Sequence, residues 1–193
     1  MNVRTFIKVD KAAFYRFIQT EPEGRYEYEW GRIVQQPGGT FIHSRIATRF
    51  LFALKDACEQ RNLAMTPDRG VETAETIRYP DIVVESDAAA PDSRWTKEPV
   101  LVIEVLSPTS VSRDLDVKPI EYLKLRSLQA YVVASQEEAA CMLWVRDRNG
   151  NFPVEPVILT GDDKIIDIPT LSLSIPISDI YAGLFKSAPP KKD

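Results

Sequence analysis

The stretch from Glu98 to Lys118, EPVLVIEVLSPTSVSRDLDVK, places a carboxylate inside an otherwise apolar run. From Val100 to Leu106 the chain reads VLVIEVL, which is typical of a strand that is buried on both faces of a sheet. Glu104 is the exception in this run. Because burying an unpaired carboxylate is costly, the sequence predicts that Glu104 has a cationic partner or a metal ion beside it.

A second acid, Asp81, opens another β-branched run. In residues 78–85, RYPDIVVE, it follows a proline and precedes three apolar residues. The next segment, 86–95, is rich in Asp, Ala and Pro and is typical of an exposed loop. Such a loop lets the chain return alongside the first strand. We therefore expect Asp81 and Glu104 at matching places on adjacent strands.

Both acids also have structural interpretations. An Asp that follows a Pro commonly caps its own turn, which would account for Asp81. A buried ion pair with Arg78 or Arg113 would account for Glu104. The residue pattern leaves these alternatives open beside a metal site.

Length and composition favour one cytoplasmic domain. A chain of 193 residues can bury a full hydrophobic core, so we assign residues 1–186 to a single domain. The last residues, 187–193, read SAPPKKD and are expected to form a disordered tail. Cys58 and Cys141 lie far apart and in no C-x-x-C pair, which argues against a zinc ribbon or a disulfide framework. This cysteine usage indicates a reduced, cytoplasmic protein.

The net charge and the lengths of the apolar runs limit the kinds of partner that the chain is expected to bind. The formal net charge of −4 argues against a non-specific basic coat for nucleic acid, but it is compatible with a local cationic cleft. No apolar run approaches the roughly 18 residues that a membrane span needs, so no membrane partner is expected.

Hydrophobic spacing predicts helices and strands along the rest of the chain. Helices are expected over 11–20 with Asp10 as N-cap, 40–61, 114–128 and 177–185. Strands are expected over 25–30, 32–35, 63–65, 70–77, 81–84, 130–135, 141–146, 154–159, 164–168 and 171–174. This mixture points to an α/β or α+β sheet sandwich.

The first predicted hairpin carries a further acid, Glu27. Tyr26, Tyr28 and Trp30 alternate with charged residues before Gly31, the expected turn. The aromatic side should pack inward. Glu27 would then face either a cleft or, in the simpler interpretation, solvent.

These acids suit one particular chemistry. Phosphodiester hydrolysis needs a nucleophilic water and stabilisation of charge on the phosphate, and Mg²⁺ held by carboxylates provides both. Asp81 and Glu104 are ligands of that kind, and the backbone carbonyl of Val105 could join them. Lys118, at the start of the next helix, is a candidate to orient the attacking water.

The motifs resemble a known family. The ordered blocks are YEYEWGRIV, GGTFIHSRIA, YPDIVVE, VLVIEVLSPTS and D-x-x-x-K-x-x-x-Y, the last running from Asp114 to Tyr122. Together they cover about 26–136 and resemble the Uma-type endonucleases of the PD-(D/E)XK nuclease superfamily. The resemblance implies an α/β, restriction-endonuclease-like fold with a central mixed β-sheet flanked by helices, to which the short C-terminal strands would be additions.

The same resemblance implies an activity and a site. The activity is Mg²⁺-dependent cleavage of nucleic acid, expected to be DNA, with Mn²⁺ able to substitute and often with a homodimer as the active form. Position by position, it places Asp81 and Glu104 on the metal, Glu27 as an additional acid and Lys118 in the lysine role. The superfamily pattern expects that lysine at position 106, which is Leu106 here. The lysine role is therefore assigned to Lys118, with Lys124 as the alternative.

Other chemistry is less well supported. His43, the only histidine, has no nearby histidine or cysteine to complete a zinc site, and the resemblance leaves it at the rim of the acid site. Ser107 and Ser110 follow Glu104, but the chain has no G-x-S-x-G motif, and one histidine is poorly placed for a triad.

Two classes of function remain. The first is a metal-dependent nuclease in which basic residues such as Arg45 and Arg49 touch phosphates. The second is a catalytically silent binding or interaction module that keeps the nuclease fold, an alternative that the acidic net charge supports.

Overall fold

The structure is a computed structural model that describes residues 8–20, 23–36, 38–106 and 113–185. The predicted tail at 187–193 lies outside these residues, as do Ser107 and Ser110. The assignment of 1–186 to one domain stays a prediction.

The described chain contains four α-helices and thirteen β-strands, with long runs of consecutive strands. The helices are α1 Lys11–Thr20, α2 Phe41–Glu59, α3 Lys118–Tyr122 and α4 Ile177–Tyr181. The strands are β1 Arg25–Glu29, β2 Arg32–Gln36, β3 Leu63–Pro67, β4 Gly70–Glu72, β5 Thr76–Arg78, β6 Ile82–Ser86, β7 Trp95–Thr96, β8 Leu101–Val105, β9 Ala130–Ala134, β10 Ala140–Val145, β11 Val157–Thr160, β12 Ile165–Ile168 and β13 Leu173–Pro176.

A six-stranded mixed sheet carries the acid-bearing strands. Its order is β11-β10-β9-β8-β6-β3, with β8 and β9 parallel and the other neighbours antiparallel. The parallel pair requires a crossover, which the chain through α3 provides. All five residues of β8 are buried, as its apolar sequence predicts. The predicted central mixed sheet is therefore confirmed.

Helix α2 covers one face of this sheet. Thr40 caps it by accepting a hydrogen bond from the backbone N–H of His43 at 3.1 Å. Its apolar stripe, Ile46, Phe50 and Leu54, is completely buried against the sheet together with β12, β13 and α4. Among the described residues, no helix combines the length and apolar character that crossing a bilayer requires.

The opposite face of the six-stranded sheet packs under α3. Tyr122 from the helix and Tyr131 from β9 are fully buried there, with ring centroids 5.2 Å apart. Glu104 projects toward this face because it alternates with Ile103 and Val105, which belong to the α2 side.

A second sheet, ordered β2-β1-β5-β4-β7, packs with α1. The predicted hairpin forms, with Trp30 and Gly31 at its turn at φ values of 45° and 88°. The expectation that Trp30 packs inward is wrong. Its side chain is 47% exposed because residue 30 leaves the strand for the left-handed turn position.

Two predicted elements differ from those in the structure. The segment expected as one strand at 70–77 is a hairpin of β4 and β5, closed by a hydrogen bond from Thr73 N–H to the Thr76 carbonyl. The helix expected over 114–128 is a π-helical turn, Arg113–Val117, followed by α3, and it ends at Tyr122.

Candidate active site

The strand register brings Asp81 beside Glu104. β6 and β8 pair antiparallel with Ile82 opposite Ile103, so the next position in the same register sets Asp81 opposite Glu104. The backbone N–H of Val105 donates to Asp81 Oδ2 at 2.7 Å. The expected placement of the two acids at matching positions on adjacent strands is confirmed.

Lys118 contacts Glu104 directly. Its Nζ lies 2.6 Å from Glu104 Oε1, and both side chains are buried. Pro119 does not prevent this, because it occupies the first turn of α3, where its missing N–H has no helical partner. Tyr122, one turn further along, donates its hydroxyl to the same Glu104 oxygen at 3.3 Å. Burial, and then the charge of Glu104, raises the pKa of Tyr122 well above its usual value, so the hydroxyl stays protonated.

Glu27 is not on a solvated strand face, since it is only 1% exposed. Its Oε2 accepts hydrogen bonds from Arg78 at 3.0 Å and from Gln36 at 3.1 Å, and its Oε1 accepts one from Tyr79 N–H at 3.0 Å. Burial alone would raise the pKa of Glu27. The positive charges of Lys118 and Arg78 and the hydrogen bond from Tyr79 outweigh burial and hold this pKa below its usual value.

Arg78 connects Glu27 to α3. Its completely buried guanidinium donates to both carboxylate oxygens of Glu121, at 2.9 and 3.0 Å, as well as to Glu27 and Glu29. Burial tends to lower the pKa of Arg78, but hydrogen bonds and charge from these acids raise it above its usual value. The permanently charged guanidinium therefore ties β1, β5 and α3 together around Lys118.

The other basic candidates are placed differently. Lys124 is exposed and lines a surface cavity with Trp30 and Asp116, whereas Lys118 is buried against Glu104. Arg45 is exposed on α2. Arg49 donates to the Ile180 carbonyl at 2.8 Å, so it links α2 to α4.

His43 lies at the acid site. Its Nε2 is 2.9 Å from Asp81 Oδ1, and its Nδ1 is buried with no hydrogen-bond partner in the part of the chain that the structure describes. Both carboxylate oxygens of Asp81 are thus held, one by His43 and one by Val105 N–H. This fixes the orientation of the carboxylate.

The acid pair fits a hard cation. Within the described ranges, no group of three or more His, Cys, Asp and Glu side chains could hold a metal ion. Two carboxylates on neighbouring strands are nevertheless a suitable oxygen donor set for Mg²⁺, which retains several waters and needs few protein ligands. Asp81 and Glu104 would be those ligands.

Residues 12–178 match the family model described as "Uma2: Putative restriction endonuclease". The chain belongs to the Uma2 family. The uncharacterized protein slr1290 of Synechocystis sp. is 28% identical over 178 residues, which covers 87% of this chain and 90% of that protein.

A solved structure agrees with the fold of this Uma2 chain. The crystal structure of "a putative nuclease belonging to DUF820" from Anabaena variabilis has a TM-score of 0.72 and 20% sequence identity, covering 92% of this chain and 99% of that one. The α/β, restriction-endonuclease-like fold class is confirmed.

Two contacts of this Uma2 site were not predicted from the sequence. Arg78 was an alternative partner for Glu104, but it binds Glu27, Glu29 and Glu121. Tyr122 was predicted only as part of a motif. The spacing of four residues from Lys118 could have revealed Tyr122, because residues four apart share one helix face. No local pattern in the sequence indicated that Arg78 pairs with these three acids.

Proposed function

We propose that this Uma2-family chain is a nuclease that hydrolyses phosphodiester bonds in nucleic acid, with DNA as the expected substrate. The observation that carries the proposal is the ammonium of Lys118, 2.6 Å from Glu104 Oε1, on the strand beside Asp81. The family description supports the same reaction class.

Asp81 and Glu104, with the backbone carbonyl of Val105, would hold Mg²⁺, for which Mn²⁺ can substitute. The ion would supply Lewis-acid stabilisation of charge on the phosphate and lower the pKa of a bound water. His43 and Val105 N–H keep the Asp81 carboxylate oriented toward the adjacent strand.

Lys118 provides positive charge at the acid pair. Its ammonium orients the attacking water and favours the hydroxide form electrostatically. Tyr122 stays protonated because its pKa is raised. Its hydroxyl donates to Glu104 and holds that carboxylate in position. Glu27 is the additional acid, ionised at neutral pH because its pKa is lowered, and it adds negative charge near Lys118.

The proposal also includes a cytoplasmic location and a homodimeric assembly. Cys58 and Cys141 are both free and buried, which is compatible with a reducing cytoplasm. A homodimer is expected as the active form. Size-exclusion chromatography with light scattering at assay concentration tests it, and a monomer that cleaves nucleic acid would contradict it.

A cleavage assay tests the nuclease proposal. Plasmid DNA, single-stranded DNA and RNA are incubated with the full chain in Mg²⁺, in Mn²⁺ and in EDTA. Cleavage that needs a divalent ion and is lost in Glu104→Gln and Glu104→Ala is expected. Unchanged activity in both variants would overturn the assignment of Glu104.

Two observations favour a second candidate function. Lys118 already occupies one oxygen of Glu104, and no cluster of three metal-binding side chains exists in the described part of the chain. A binding module that keeps the nuclease fold would have these features. Calorimetry showing no Mg²⁺ or Mn²⁺ binding, together with no cleavage of any substrate, would favour this alternative.

A further inference from the structure

A small cavity adjoins the acid site on the side of the first hairpin. It has a volume of about 170 Å³, and its lining includes Arg25, Arg94, Tyr26 and Tyr79. Arg25 Nη2 is 4.0 Å from Asp81 Oδ1, so the cavity and the acid pair share a border. A cavity with two guanidinium groups and two phenols has the donors that an anion needs.

The hydrogen-bonding capacity of Arg25 is incompletely used. Its Nε is buried and has no partner among the described residues. Its Nη2 lies 2.7 Å from Asp68 Oδ1, but the Asp68 side chain is 57% exposed. Exposed ion pairs of this kind contribute little to stability, so a phosphate that also accepts from the unpartnered Nε of Arg25 can displace Asp68.

The other side of the cavity adds charge and a neutral donor. Arg94 is exposed, and its Nη1 is anchored by the Ile18 carbonyl at 3.4 Å. Tyr79 also lines the cavity, and its phenol adds a neutral O–H donor.

The size of the cavity selects a small ligand. Its volume exceeds the roughly 30 Å³ that one water molecule occupies, and it falls below the roughly 300–1,000 Å³ of sites for drug-sized ligands. The wall is closely packed where Tyr26 passes Gly24. A Cβ at Gly24 would lie 3.0 Å from the Tyr26 ring, and the φ of +104° also favours glycine. One phosphate group with its ester linkage suits this space, whereas a whole nucleotide does not.

We propose that this cavity is a subsite for a backbone phosphate of the nucleic acid, next to the phosphate that would be cleaved at Asp81 and Glu104. The inference rests on the proposed nuclease function and adds a contact that places the strand. Arg25 is the main ligand because it has a buried donor with no partner among the described residues and lies 4.0 Å from Asp81 Oδ1. Arg94 and Tyr79 complete the donor set.

Binding in EDTA tests the subsite without any cleavage. The full chain is titrated, with NMR detection, using thymidine, the thymidine dinucleotide, its 5′-phosphorylated form and inorganic phosphate. Arg25→Gln should weaken binding of the phosphorylated dinucleotide roughly tenfold or more, because it removes charge-assisted hydrogen bonds. Arg94→Gln should weaken it less. Arg148→Gln, an exposed arginine in the turn after β10, is the matched control and should change nothing.

Asp68→Asn separates a phosphate subsite from a structural ion pair. Removing the competing carboxylate should tighten binding of the dinucleotides, whereas loss of a purely structural contact would weaken it or leave it unchanged. This variant keeps the inference testable if Arg25→Gln unfolds. Equal Arg25-dependent binding of both dinucleotides would identify an internal phosphodiester as ligand, and a preference for the 5′-phosphorylated form would identify a terminal phosphate.

Three results would overturn the subsite. These are thymidine binding as tightly as the dinucleotides, the same affinity in Arg25→Gln and Arg148→Gln, or unchanged or weaker binding in Asp68→Asn. The nuclease proposal fails separately, since a chain that binds phosphate through Arg25 in EDTA but cleaves nothing with Mg²⁺ loses only the catalytic assignment.

Discussion

Glu104 shows how far one residue can be interpreted before a structure exists. An apolar run on both sides predicted burial, and burial predicted a partner. The partner is Lys118, which forms a buried ion pair with Glu104 and is also the lysine of the candidate site. The same contact therefore fits both the structural and the functional interpretation of Glu104. The lysine's approach depends on the π-helical turn before α3, which no residue pattern in the sequence indicated.

Neutralising Glu104 should lower stability as well as activity. Glu104→Gln removes the carboxylate beside a buried ammonium and should reduce the free energy of unfolding by roughly 3 kcal/mol. Cleavage should fall about 100-fold or more. Urea denaturation and the cleavage assay measure the two effects.

The double variant Glu104→Gln/Lys118→Met is the matched control. With both charges removed, its stability should lie closer to that of the wild type, while cleavage stays at least as low as in Glu104→Gln. A double variant whose stability loss equals the sum of the single losses would show that the two side chains are not coupled.

Glu27 marks what alternation alone cannot reveal. The period of two correctly separates the faces of β1, but the same pattern fits solvent or a second packed layer. Arg78, far away in sequence, is buried against Glu27, so Glu27 faces a packed layer and not solvent.

The lowered pKa of Glu27 predicts a pH dependence of stability. Because the folded-state pKa lies below the ordinary value of 4.5, ionised Glu27 stabilises the fold above that value, and the contribution is lost as pH falls through the folded pKa. The wild type should therefore be more stable than Glu27→Gln at about pH 7, with the difference narrowing below about pH 4.5. Urea midpoints across this range test the sign, and a difference that grows in acid would contradict it.

Among the elements, α3 departs most from its sequence prediction. Leucines at helical spacing predicted a helix through Leu128, yet α3 ends at Tyr122. Arg146 donates to the carbonyls of Leu125 and Leu128, so a side chain distant in sequence holds the non-helical segment that follows α3. Helix α2 was predicted closely because its cap and its apolar stripe are both local.

The short helix α3 should depend on Glu121. Five residues make a marginal helix, and Glu121 fixes this one to the buried guanidinium of Arg78 through two hydrogen bonds. Glu121→Gln should cost about 1–3 kcal/mol, since Arg78 retains Glu27 and Glu29. Amide hydrogen exchange in α3 should accelerate, and cleavage should fall because Lys118 is less well held. The exposed Glu155→Gln is the control, and equal exchange rates in the two variants would refute the role of Glu121.

At the scale of the molecule, the family blocks and the strand patterns predicted the fold class, because the mixed sheet is built from locally recognisable strands. The order of the strands and the division into two larger sheets depend on pairings between distant segments. Local patterns do not determine such pairings. The hairpin at 70–77 was missed for a different reason, since its turn at 73–76 contains no Gly, Pro, Asn or Asp to signal it.

The single-domain assignment predicts one cooperative unfolding transition. The chain has three tryptophans, of which Trp95 stacks on Tyr15 beside the five-stranded sheet and Trp144 stacks on Tyr131 in the six-stranded sheet. Trp30→Phe/Trp144→Phe retains Trp95 and reports the five-stranded sheet, and Trp30→Phe/Trp95→Phe retains Trp144 and reports the six-stranded sheet. In each variant the urea midpoint from fluorescence should coincide with that from far-UV circular dichroism. Separate midpoints would indicate two independently unfolding parts.

The acid pair as a metal site is the central claim, and anomalous scattering from crystals soaked in Mn²⁺ tests it most directly. The proposal predicts a manganese peak within roughly 2.0–2.3 Å of a carboxylate oxygen from both Asp81 and Glu104. The Lys118 ammonium should remain beside the site. A well-ordered site with no peak at these acids, or a peak that neither of them contacts, would contradict the claim.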